Sequence, residues 1–154
     1  MFIALQSQSA GIIGVMPRSQ EETTHPWGET ATPYLEIGGE EAVRRLVETF
    51  YDVIEEEAPT LRALLPVSMA NTRRKLFMYL SGWLGGPPLY EERYGHPRLR
   101  MRHMPFAIGS AEAAEWIRCM RIAMGRAGVS EPLRSFLDQR FGDLALHMRN
   151  QAGA

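Results

Sequence analysis

Between Ile37 and Met148, apolar residues recur at three- and four-residue steps, the spacing that gathers them on one face of a helix. In "GGEEAVRRLVETFYDVIEEEAP" that face is Val43, Leu46, Val47, Phe50, Tyr51 and Ile54. Glu40 and Glu41 open the run, where the helix dipole favours anions, and Pro59 closes it. After the turn "TLRALLP", the run "VSMANTRRKLFMYLSGWL" carries Met69, Thr72, Leu76, Leu80 and Trp83 on one side, and "GGPP" ends it. Residues 87–109 are expected to be loop-rich, holding one short helix that opens at Pro97 and stops at Pro105. A long helix is expected from Ser110, its cap, to Gly128, striped by Trp116, Met120, Ala123 and Ala127. The last opens at "SEP" with Ser130 as cap, and its stripe is Leu133, Phe136, Leu137, Phe141, Leu144 and Met148. No stretch alternates with period two, so the expected fold class is all-α.

Residues 1–32 lack either period and are polar in "RSQEETTHPWGETATP", which predicts an extended N-terminal extension ahead of a domain at 33–154. Trp27 and the patch of Ile12, Ile13 and Val15 offer the means to pin it to the body. The 154 residues, 45% of them hydrophobic, suffice for one core with room for a small ligand. Seventeen Lys+Arg against eighteen Asp+Glu leave a net charge of −1, which argues against nucleic acid as partner. The single cysteine, Cys119, reads as small core filler in a reducing compartment. No apolar run approaches the ~20 residues of a membrane span, and the N-terminus lacks the charged start of a secretory signal. The expected location is the cytoplasm, without membrane contact.

The richest chemistry lies in "GHPRLRMRHMPFAIG", at 95–109. His103, near the end of the short helix, can point one ring nitrogen outward while the other donates to a carbonyl one turn back, that of Leu99. His96, at the start of that helix, cannot. Arg98, Arg100 and Arg102 surround the position with positive charge that suits a ligand bearing carboxylates. Haem has two carboxylates and an iron that accepts imidazole. Read singly, His103 is more readily a surface or hydrogen-bonded imidazole than a ligand, the arginines a solvated face, and the nine methionines core filler.

Together these residues resemble the group II truncated haemoglobins. The resemblance rests on "FYD" at 50–52, "YLSGWLGGPPLY" at 79–90, "GHPRLRMRHMPF" at 95–106 and "EWIRCM" at 115–120, and it covers about Ile37 to Gln151. It implies a two-over-two helical sandwich enclosing haem b. It further implies that His103 is the proximal iron ligand and that Trp116 and Tyr51 face the diatomic ligand as donors. Thr72 and Leu76 match positions lining the distal pocket, Lys75 and Arg100 are candidates for the haem carboxylates, and Tyr90, Met104 and Phe106 are further cofactor contacts. Leu65 stands where the family commonly carries Tyr, His or another ring, so the distal network should be smaller. Leu76, Phe77 and Leu80 are expected to wall the pocket against water.

The function implied is reversible binding of O2, with NO and CO as other ligands, by a monomer or homodimer. An indole N–H can only donate, which suits a ligand that gathers negative charge, whereas a phenol can donate or accept. The alternatives are a haem-dependent redox enzyme on the same scaffold, a peroxidase or a nitric-oxide dioxygenase served by an unidentified reductase, and a haem-free helical module using its arginines on an acidic partner. On the residues alone, Trp116 and Tyr51 also fit plain core packing.

Overall fold

Gly38 and Gly39, at φ +123° and +81°, break the first helical run in two. The computed structural model describes residues 24–150. Its helices are α1 (Pro33–Ile37), α2 (Glu40–Glu57), α3 (Pro59–Arg62), α4 (Ala70–Trp83), α5 (Leu89–Tyr94), α6 (Leu99–His103), α7 (Ser110–Arg126) and α8 (Leu133–His147). Among the described residues there is no strand, only an isolated bridge between His25 and Gly28. No helix among them is long and apolar enough to cross a membrane.

The architecture is two helices over two. The α2 and α4 helices pack as one pair, α7 and α8 as the other, and α2 lies against α7. The seam is the apolar face that the spacing predicts: Val43, Leu46, Val47, Phe50 and Ile54 are all at most 1% exposed. Cys119, Met120 and Ala123 meet them from α7, and Leu137 and Phe141 from α8, in one continuous core. Each large apolar side chain buried this fully contributes roughly 1.5–3 kcal/mol.

The helix ends depart from expectation in ways the hydrogen bonds explain. Gly109, not Ser110, precedes α7, and Glu112 caps the helix by accepting the Gly109 N–H at 2.8 Å. Ser130 offers no side-chain cap to α8; Glu131 Oε1 accepts the Ser135 N–H at 3.2 Å instead. Pro97 does not open α6, because Arg98 adopts φ +49° and helical dihedrals begin only at Leu99. The expected loop from 87 contains α5, which Pro88 precedes and Gly95 ends at φ +79°. The "TLRALLP" turn begins as the single helical turn α3.

The "GGPP" stop packs tightly. Ser81, fully buried, donates to the Pro87 carbonyl at 2.7 Å and accepts the Gly86 N–H on its own carbonyl at 2.8 Å. A Cβ on Gly86 would run into the Tyr34 ring. Trp27 packs edge-on against Phe136 of α8 at 5.3 Å, so residues 24–32 lie on the helical body. Ile12, Ile13 and Val15 lie outside the described residues.

Candidate functional site

A cleft of about 610 Å³ opens between the two helix pairs, within the roughly 300–1,000 Å³ usual for small-molecule and cofactor sites. Helix periodicity builds its walls. From α2 come Phe50, Tyr51 and Ile54; from α4 come Thr72, Lys75, Leu76 and Tyr79. Leu61, Leu64 and Leu65 close one end, and Ala113 and Trp116 of α7 face them with Met148 from beyond α8. Leu99, Arg102 and His103 of α6 line it too, with Phe106 just after.

His103 is held from behind. Its Nδ1 lies 2.7 Å from the Leu99 carbonyl oxygen. A carbonyl can only accept, so Nδ1 carries a proton, and in the neutral ring the lone pair then falls on Nε2. Nε2 has no partner among the described residues. Asn150 secures the segment that follows. Its Nδ2 donates to the His103 carbonyl at 3.1 Å and to the Phe106 carbonyl at 2.9 Å, while its Oδ1 accepts the Ile108 N–H at 3.0 Å.

Tyr51 and Trp116 both touch Phe50, with ring centroids 5.1 and 5.2 Å away, so one buried ring sets both. Tyr51 is 7% exposed, Trp116 half-buried, and among the described residues neither the phenol nor the indole N–H has a hydrogen-bond partner. Buried donors are normally paired, so two unpaired donors in one cleft point to something that accepts from them. Burial pushes the Tyr51 phenol well above its usual range, against the pull of the Arg73 guanidinium. That guanidinium lies 5.6 Å from the ring centroid and is bound to Glu48 and Asp52. Tyr79 is pushed up to about 12, first by burial. Burial also raises Cys119, a fully buried thiol within the core.

The structure therefore gathers His103, Lys75, Leu76, Thr72, Leu65, Tyr90, Phe106, Trp116 and Tyr51 around one cleft. Met104 stands apart, 57% exposed and outside the lining. The Arg100 side chain lies outside what the structure describes. Phe77 and Leu80 turn into the core rather than the cleft, Phe77 beneath the Arg44 guanidinium at 4.2 Å. Of the three arginines expected around His103, Arg102 lines the cleft, with its Nε donating to the Pro97 carbonyl at 2.8 Å, whereas Arg98 is not among the lining residues. Ile54 and Tyr79 are additions, readable as the next positions after Tyr51 and Leu76 on faces already named. Lys75 and Arg102 have no carboxylate partner among the described residues; Lys75 Nζ lies 5.3 Å from the Tyr94 ring centroid.

A family model described as bacterial-like globin matches residues 32–150. The Bacillus subtilis (strain 168) protein described as group 2 truncated hemoglobin YjbI is 43% identical over 122 residues, 79% of this chain and 91% of that one. Among solved structures, the group II 2-on-2 hemoglobin of Agrobacterium tumefaciens matches with TM-score 0.76 at 41% identity, covering 80% of this chain and 98% of that one. The truncated oxygen-avid haemoglobin from Bacillus subtilis matches with TM-score 0.72 at 43% identity, covering 77% and 99%. A family match along the whole helical body, with relatives this similar over nearly their full lengths, joins the two-over-two fold and the apolar cleft to one conclusion: the chain belongs to the bacterial-like globins, as a group II truncated haemoglobin, a family of haem proteins that bind small diatomic ligands.

Proposed function

We propose that this chain holds haem b through His103 and takes up O2 reversibly, with Trp116 and Tyr51 as the donors that retain the ligand. Haem would supply an iron able to take the His103 imidazole and a diatomic ligand. The observation that carries the reading is the meeting in one cleft of an imidazole held at Nδ1 by the Leu99 carbonyl, its Nε2 without a partner among the described residues, and two unpaired donors.

The residues divide the work. Leu99 fixes the tautomer and orientation of His103, and Asn150 holds the segment behind it. Lys75 and Arg102 offer cations to the carboxylates of a porphyrin edge. Leu61, Leu65 and Leu76 exclude water, which slows oxidation and strengthens each hydrogen bond made inside. The Tyr51 phenol, raised by burial, keeps its proton at neutral pH and stays a donor. Leu65 packs without donating, so the network on the ligand side is Trp116 and Tyr51. The buried, unpaired Cys119 thiol agrees with a reducing cytoplasm.

The test is titration of the purified chain with haemin, followed by absorption. One equivalent should give the spectrum of an imidazole-ligated globin, and His103→Gly should lose it. A variant spectrum identical to the parent's would overturn the assignment.

A further inference from the structure

A second cavity of about 380 Å³ adjoins the first, and Tyr79, Tyr90 and Leu99 line both. Met78, Trp83, Pro88 and Leu144 give it an apolar lining, and His96 and His147 line it too. Its rim carries both signs of charge: Arg98 and Glu91 are exposed lining residues, and neither side chain has an ion-pair or hydrogen-bond partner among the described residues. Arg98 is unusual in its backbone. It sits at φ +49°, a left-handed conformation that a β-carbon disfavours, with its N–H donating to His96 Nδ1 at 3.1 Å. A residue held against local preference at the mouth of a cavity points to a role for that mouth.

We propose that this cavity is a binding site for a free α-amino acid with an apolar side chain, its carboxylate on Arg98, its ammonium towards Glu91 and its side chain against Trp83 and Leu144. The class follows from charge balance. A simple carboxylate leaves Glu91 facing an anion, a simple amine leaves Arg98 facing a cation, and a zwitterion matches both.

Occupancy has two routes to the cleft, and this part rests on the roles given above to His103 and Trp116. Leu99 lines the second cavity while its carbonyl receives His103 Nδ1. Trp83 stacks on Phe141 at 4.9 Å, and Phe141 meets Trp116 at 5.9 Å.

The test is calorimetric titration of the full chain with L-phenylalanine, with and without added haemin. Saturable one-to-one binding is expected in both states. 3-Phenylpropionate and 2-phenylethylamine, each lacking one charge, should bind at least about tenfold more weakly. Arg98→Gly, which suits the left-handed backbone and keeps its N–H, should weaken binding by at least about tenfold; Leu144→Trp, which fills the floor, should abolish it. Both variants should take up haemin as the parent does. No saturable binding by the parent, equal binding by parent and both variants, displacement of phenylalanine by haemin, or 3-phenylpropionate binding as tightly as phenylalanine overturns the site. A phenylalanine-dependent shift of the haem absorption band, absent in Arg98→Gly, supports the coupling; binding without a shift keeps the site and overturns the coupling. A chain that takes no haemin yet binds phenylalanine overturns the haem reading and leaves the site standing.

Discussion

The carbonyl oxygen of Leu99 lies 2.7 Å from Nδ1 of His103, one helical turn away in the same five-residue helix. The bond fixes which nitrogen is protonated, so the orientation of the imidazole is set before any cofactor arrives. His103→Gly should abolish the parent haem spectrum, and free imidazole added to that variant should restore part of it. Absorption spectroscopy of the two samples side by side checks this.

Trp116 and Tyr51 should act on ligand escape. Each buried hydrogen bond to a bound ligand contributes on the order of 1–3 kcal/mol, so Trp116→Phe should speed O2 release by about ten- to a hundredfold. Tyr51→Phe should act in the same direction, and the double variant shows whether the donors share one ligand atom. Stopped-flow release kinetics read all three.

The phenols of Tyr51 and Tyr79 set an alkaline limit. Burial raises Tyr51 above the ordinary tyrosine range and Tyr79 to about 12. In the unfolded chain both ionise near pH ~10. Above that value the folded state binds more protons than the unfolded one, so stability falls as pH rises, through about 12 for Tyr79. Tyr51→Phe and Tyr79→Phe should each flatten the decline in denaturant midpoint above pH ~10.

Asn150 should matter more than its place near the chain's end suggests. Asn150→Ala removes the donor to the His103 and Phe106 carbonyls and the acceptor of the Ile108 N–H. A cost of about 1–3 kcal/mol is expected, together with faster loss of haem to an apoglobin acceptor. Destabilisation without a change in haem loss would confine Asn150 to fold support.

Gly86→Ala tests the turn that ends α4. The added methyl meets the Tyr34 ring, and the ring must shift to admit it. Destabilisation of about 1–3 kcal/mol is expected in a urea titration, with the ligand cleft unaffected.

The cleft was legible to different depths at different residues. Leu99 as the partner of His103 followed from helix geometry, because residues four apart stack along one face whatever surrounds them. Thr72 and Leu76, which the family resemblance placed at the distal pocket, line the cleft one turn apart on α4. Phe77 and Leu80 were misplaced as pocket walls: both are apolar and lie on the same helix, but only the packing of α2 against α4 decides which face meets the core. The caps failed on a finer scale. Ser110 and Ser130 have suitable hydroxyls, yet Glu112 and Glu131 take the N–H groups, since several acceptors compete at each helix start.

By itself, then, the sequence determined the long helices and the core stripe of α2, because hydrophobic period acts over a few residues. What only the tertiary structure decided was which groups meet. Phe50 setting both Tyr51 and Trp116, Asn150 reaching back to His103, and Arg98 and Glu91 left unpaired at a shared rim all join residues distant in the chain or across a turn. Their meeting depends on how whole helices cross, which is settled by the packing of all their side chains at once.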